Sequence, residues 1–294
     1  MNPWFIPIFA VLAITLALWI PRHRLKKAVN APYPQEWVEI LERNIQIYRN
    51  LPMPLRLQLR LLIKQFLHQK HFSGAAGLEI TDEIRVTIAA QACMLQLNRG
   101  ADLYPKLKYI LVYPSAFVVS RAQGDDSGVV SHQERGLLGE SWQNGKVILA
   151  WDNVLHGARN FLDGRNVVLH EFAHQLDSES GMADGAPLLA GKSSYRSWAA
   201  ALSHEFEVLQ KDYRVGRRSL LDHYGATNPA EFFAVATETF FEKPRQMAKH
   251  HAELFDVLVR YYRIDPRDWL NPPTGTPPAD TPIHPDRQGL KETD

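Results

Sequence analysis

Apolar positions recur every three or four residues over most of this chain, a spacing that predicts a mainly helical protein. Trp37, Ile40, Leu41 and Ile45, then Leu55, Leu59, Leu62, Ile63 and Phe66, mark two helices between Glu36 and Gln69. They are separated at Leu51-Pro52-Met53-Pro54, because the residue before a proline is pushed out of helical backbone. Gly74 and Gly77 mark a loop, and Thr81 is placed to cap a helix running through Leu97. Two runs break the helical period and read as strands: Tyr109–Tyr113, ended by Pro114, and Val147–Trp151, ended by Asp152. Between them, the polar, glycine-containing stretch from Arg121 to Gly139 predicts a mobile loop or a hairpin. Helical spacing resumes near Asp163 and lasts to about Ile264, so the expected fold is α+β, mainly helical with a small sheet. Residues 271–294, rich in Pro and Thr and poor in apolar side chains, read as a disordered tail.

The N-terminus follows another pattern. Trp4 to Ile20 carries no charge, is bracketed by Trp4 and Trp19, and is followed by Arg22, Arg24, Lys26 and Lys27. A helix of that length spans about 25 Å, just short of a bilayer core. A cleaved secretory signal would carry its charges before the apolar run and small residues after it. The expectation is therefore an uncleaved transmembrane helix with its basic flank, residues 1–27, tethering the chain to a membrane through residues 4–20 with the remainder in the cytoplasm. Residues 28–35, with two closely spaced prolines, read as a linker.

Composition narrows the chemistry by exclusion. Lys and Arg total 33 and Asp and Glu total 32, so no charge excess points to nucleic acid as a partner. The single cysteine, Cys93, sits in an apolar run and reads as a small buried hydrophobe.

One segment is chemically specific. Within Asn166–Asp177, His170-Glu171-Phe172-Ala173-His174 lies among Val167, Val168, Leu169 and Leu176, which predicts a buried helix. His170 and His174, one turn apart, share a face and can hold one divalent metal, with room for a third ligand and a water. The ligand types point to Zn2+. Glu171, one position on, can reach that water rather than the metal and act as general base. A third histidine six positions after His174 would mark another class of zinc peptidase, but that position is Ser180.

The third ligand is then sought on a later helix. Asn228 caps it, Pro229 stands at its first position, and Ala230–Phe241 is apolar nearly all round except for Glu231 and Glu238. These acids are two turns apart on one face, and a cation on the two histidines would give them a partner. Glu231 alone is also explained as a first-turn glutamate favoured by the helix dipole. Tyr224, seven residues before Glu231, reads either as a hydrogen-bond donor to an oxyanion or as a packing residue. Asp177 either orients a ligand or caps its helix.

Taken in order, Gly139–Trp142, Val147–Asp152, Val167–Asp177 and Tyr224–Ala234 resemble the Mlc titration factor A family of zinc peptidases over roughly residues 32 to 270. That family is similar to the catalytic domain of anthrax lethal factor, a gluzincin in which a tyrosine also stands seven residues before the glutamate ligand. The resemblance implies a zincin-like peptidase domain over residues 28–270. It implies zinc on His170, His174 and Glu231, with Glu171 as base and Tyr224 assisting the oxyanion. It further implies peptide or protein substrates, aminopeptidase-like cleavage and binding of a transcriptional repressor; the better-known members are soluble, so the bacterial inner-membrane location expected here rests on residues 4–20 and their basic flank alone. A regulatory protein that sequesters such a repressor, with zinc mainly structural, is the alternative reading.

Overall fold

The computed structural model describes residues 5–100, 102–116 and 145–269. Its first helix, α1 (Phe5–Asn30), is not confined to the apolar run: it continues through Pro21 and the basic cluster, with Lys27 in its last turn. Lys64 then ties the end of α1 down by donating to the carbonyls of Val29 and Ala31. Among the described residues no helix is long and apolar enough to cross a membrane. This corrects the expectation of a single-pass transmembrane anchor with the domain on the cytoplasmic side. The uncharged run falls short of a bilayer core, and its helix goes on into four cationic side chains and across the basic flank.

The two helices expected between Glu36 and Gln69 are α2 (Gln35–Asn44) and α3 (Met53–Gln69), with Pro54 in the first turn of α3. Strand β1 (His71–Gly74) follows, and α4 (Asp82–Met94) starts where Thr81 Oγ1 accepts from the Ile84 amide. Strands β2 (Tyr109–Tyr113) and β3 (Lys146–Ala150) complete a three-stranded sheet in the order β1-β2-β3, parallel throughout. The register pairs His71 with Tyr109 and Tyr109 with Lys146. Ile110 and Val112 on β2, and Val147 and Leu149 on β3, are buried at alternate positions, so one face of the sheet lies on the core. The expected loop or hairpin over Arg121–Gly139 and the expected tail over 271–294 lie outside the described residues.

Trp151, expected to end the strand, instead starts α5 (Trp151–Arg159), which leads into α6 (Val167–Asp177). Then come α7 (Lys192–Arg214), α8 (Pro229–Glu242), α9 (Pro244–His250) and α10 (Ala252–Tyr262). Helix α6 is the centre of the molecule: α4, α5, α8 and β3 all pack on it. Val168, Leu169, Phe172, Ala173 and Leu176 are all fully buried on α6. Phe172 stands edge-on to Tyr104, with ring centroids 4.9 Å apart, and lies 5.7 Å from Phe66. Cys93 is buried in α4, as the apolar run around it implied.

Gly185, in the segment between α6 and α7, shows how tightly these helices are joined. Its φ is +79°, and a Cβ there would stand 2.5 Å from the Pro229 carbonyl oxygen, so only glycine lets the segment pass the start of α8. Its N–H donates to Asp177 at 2.9 Å and its carbonyl accepts from the Trp198 indole at 2.9 Å. One residue thus links the end of α6, the body of α7 and the start of α8.

Truncating Phe172 removes a large side chain from a fully packed site. The Phe172→Ala variant is expected to lose about 3–5 kcal/mol of stability. Urea unfolding checks this, with the exposed Leu57→Ala on α3 as a control expected to stay within about 0.5 kcal/mol.

Candidate metal centre

Helix α6 starts at Asn166, whose Oδ1 accepts from the Val168 and Leu169 amides at 3.1 and 3.0 Å. Helix α8 starts the same way, with Asn228 Oδ1 accepting from the Glu231 amide at 3.0 Å. The two helices pack against each other, and a polar line of His170, His174, Glu231 and Glu238 runs between them.

His170 and His174 project from α6 onto Glu231 of α8. Glu231 Oε2 lies 3.0 Å from His170 Nε2 and 3.3 Å from His174 Nε2, and the two Nε2 atoms are 3.2 Å apart. All three residues are buried. A tetrahedral metal with bonds of about 2.0–2.1 Å sets its ligand atoms about 3.3–3.4 Å apart. The three donors therefore already have the mutual spacing of one face of such a site, and their chemistry suits a divalent cation.

Glu238 completes the arrangement behind His170, whose Nδ1–H donates to Glu238 Oε1 at 2.7 Å. That bond fixes the ring and leaves Nε2 facing Glu231. The other oxygen of Glu238 accepts from the Asn166 amide at 2.5 Å, so this carboxylate holds both the histidine and the start of its helix. Glu242, one turn on, accepts from the Gly164 and Arg165 amides at 2.8 and 3.1 Å and from Asn166 Nδ2 at 3.1 Å. Glu231, Glu238 and Glu242 form one stripe on an otherwise apolar helix, and every acid in it is committed to α6 or to the loop before it. Glu242 escaped sequence reasoning, although its place in the same seven-and-four spacing was the available signal.

Electrostatics follow from burial and these contacts. Burial disfavours charge on both imidazoles, but the Glu238 and Glu231 carboxylates outweigh it at His170 and push its pKa up. At His174 burial prevails, aided by the charge on His170, and its pKa is held down. Glu231 is pulled well below the usual carboxylate range by hydrogen bonds from both histidines, although burial works the other way. Burial raises the Glu242 carboxyl to about 8, with Glu238 and Asp163 adding to the effect against its three N–H donors.

The remaining sequence candidates lie close by. Glu171 is buried on α6 between the two histidines in sequence. Tyr224 sits in a 3-10 turn, His223–Ala226, with its ring centroid 6.0 Å from that of His170. Asp222 Oδ1 caps this turn by accepting from the Tyr224 amide at 2.9 Å, and Asp222 also pairs with Arg165 at 3.1 Å. Asp177 bonds to Gly185 and so anchors the segment after α6. Its carboxyl is raised by burial to about 7.

Residues 19–263 match the family model described as glucose-regulated metallo-peptidase M90. The chain belongs to the M90 metallopeptidase family. Among its relatives are an uncharacterized protein of Synechocystis sp., 40% identical over 271 residues, or 90% of this chain and 98% of that protein. Others, from Yersinia pestis and Yersinia pseudotuberculosis, are named Mlc titration factor A; they are 31% identical over 252 residues, 83% of this chain and 92% of theirs. Membership of the M90 family implies a metal, and the His170–His174–Glu231 cluster is the group among the described residues able to hold one.

Glu238→Gln replaces the acceptor behind His170 with an amide and is expected to weaken metal affinity about 10–100-fold. Competition against a chromophoric chelator measures this. Glu242 makes a second prediction. Its carboxyl ionises near 4.3 in the unfolded chain but only near about 8 in the fold, so the folded state binds the extra proton between those values. Stability from this group is full below the lower value and falls as pH rises to about 8. Glu242→Gln is expected to flatten the pH slope of unfolding free energy across that window relative to wild type, as read by urea titrations at several pH values.

Proposed function

We propose that the chain is a zinc peptidase of the gluzincin kind, hydrolysing peptide bonds with Glu171 as general base. One observation carries the reading: two imidazole Nε2 atoms on one helix face the same Glu231 oxygen, at 3.0 and 3.3 Å. That is a three-ligand set with no fourth protein ligand among the described residues, the pattern of a catalytic rather than a closed structural site. Zinc bound there would polarise the scissile carbonyl and make water more acidic.

The chain's own residues supply the rest. Glu171 takes the proton from the attacking water and passes it to the departing amine. Glu171 is buried on α6 beside both histidines in sequence. With a metal on Nε2, Glu238 would hold His170 in a single tautomer, with the proton on Nδ1. Tyr224, held by the Asp222 cap with its ring beside His170, donates its phenolic O–H to the oxyanion as the carbonyl becomes tetrahedral. We assign aminopeptidase-like specificity to this site on the resemblance alone. A second reading rests on the relatives named Mlc titration factor A: the chain binds and sequesters a transcriptional repressor, and the metal is mainly structural.

Metal content and cleavage of a peptide library by the full chain, wild type beside Glu171→Gln, separate these readings. Expected are about one zinc in each protein, and cleavage reduced about 100- to 10,000-fold in the variant. Zinc in both with no cleavage in either favours the sequestration reading. No zinc in either sinks both readings. Loss of cleavage on N-acetylation of the peptides checks the aminopeptidase assignment.

A further inference from the structure

A cavity of about 150 Å³ opens where α7, α10 and the residues preceding α7 meet the chain just past α4. Trp198, Val257 and Tyr261, all buried, give it an apolar floor. Three arginines supply its charge: Arg99 after α4, and Arg260 and Arg263 at the end of α10. None of the lining residues is acidic, so three like charges face one space without a counter-charge on its walls.

Arg260 and Arg263 are exposed, and water can serve them. Arg99 is different. Its guanidinium lies 4.2 Å from the centroid of the Tyr261 ring, which holds it in the wall. Its Nε and Nη1 are shielded from solvent and have no hydrogen-bond acceptor among the described residues. A guanidinium cannot shed its proton, so this charge must be compensated where it stands. Burial apart, the Tyr261 hydroxyl does most to favour its charge and carries no full negative charge of its own; Glu179 contributes less, and Glu179 Oε1 is itself buried with no hydrogen bond among the described residues. The serines in the wall do not compete for the role of donor: Ser194 Oγ donates to the Ala190 carbonyl and Ser197 Oγ to the Ser194 carbonyl, each at 3.1 Å.

We propose that this cavity binds a small carboxylate with an apolar body. The carboxylate meets the Arg99 guanidinium, flanked by Arg260 and Arg263, while the apolar group covers Trp198, Val257 and Tyr261. The floor argues against a simple phosphate, whose outer oxygens would lose water against apolar side chains and gain no donors there. Such a carboxylate is either a free organic acid or the C-terminus of a peptide ending in an apolar residue. The site shares no residue with the metal centre, so the inference stands apart from the peptidase reading.

Calorimetric titration of the full chain with N-acetyl-L-leucine, with a hexapeptide ending in leucine, and with that peptide amidated at its C-terminus tests it. Expected is saturable one-to-one binding of at least one free carboxylate and none of the amide. Binding of N-acetyl-L-leucine identifies the free-acid source, and binding of the hexapeptide alone identifies a peptide end. The rim variant R260Q/R263Q is expected to weaken binding roughly tenfold and R99Q more than that, as loss of charge-assisted hydrogen bonds requires. If circular dichroism finds R99Q unfolded, the rim variant decides alone. No saturable binding, binding unchanged in the folded variants, equal binding of the amide, or equal displacement by inorganic phosphate would each overturn the proposal.

Discussion

One carboxylate oxygen on α8 has to reach two imidazole nitrogens on α6, and the surrounding structure answers to that constraint. Both helices are apolar nearly all round, so each is buried on every side and neither can turn to carry its polar groups into water. Phe240 and Phe241 pack against Tyr262, and Phe232 against Phe206, which fixes α8 from the side away from α6. The rotation of α8 is then set by aromatic packing, and its acidic stripe is left facing the histidines.

The stripe is more than a ligand and its support. A buried carboxylate is costly unless its oxygens are hydrogen-bonded. Glu238 meets that demand with the Asn166 N–H, and the Glu242 carboxyl takes the Gly164 and Arg165 N–H groups in the loop just before α6. Asn166 joins the two systems: its Oδ1 caps α6 and its Nδ2 bonds to Glu242 and to the Gly157 carbonyl on α5. A Cβ on Gly157 would come within 2.9 Å of Asn166 Cγ, so α5 can approach only because that residue is glycine.

Much of this was legible from residues alone, and the failures have physical causes. The caps Thr81 and Asn228 were readable because a short polar side chain before an apolar run has one main use. The metal cluster was readable because two histidines one turn apart on an apolar helix need a common partner. Strand β1 was not, since His71-Phe72-Ser73-Gly74 has too little apolar alternation and owes its conformation to pairing with β2. The parallel sheet was hidden for the same reason: strand direction is decided by long connections rather than by the strands. The N-terminal run misled because apolarity reports what a helix avoids and not what covers it. Arg99 and its neighbours went unseen because the cavity gathers residues from well-separated stretches of the chain.

The separation in sequence between the two halves of the metal cluster bears on how the chain is made. His170 and Glu231 lie 61 residues apart, and Gly164 and Glu242 lie 78 apart. As synthesis runs from the N-terminus, the histidine helix emerges well before the helix that completes it. Until α8 arrives, an apolar helix stands without its main cover, its two imidazoles without their carboxylate and the Gly164, Arg165 and Asn166 amides before it without their acceptors. At a synthesis rate of about 5–20 residues per second, the delay between the two helices is on the order of seconds, far longer than either helix takes to form. The nascent chain therefore passes through an interval in which an uncovered apolar helix favours aggregation, and the last turns of α8 bring that interval to an end.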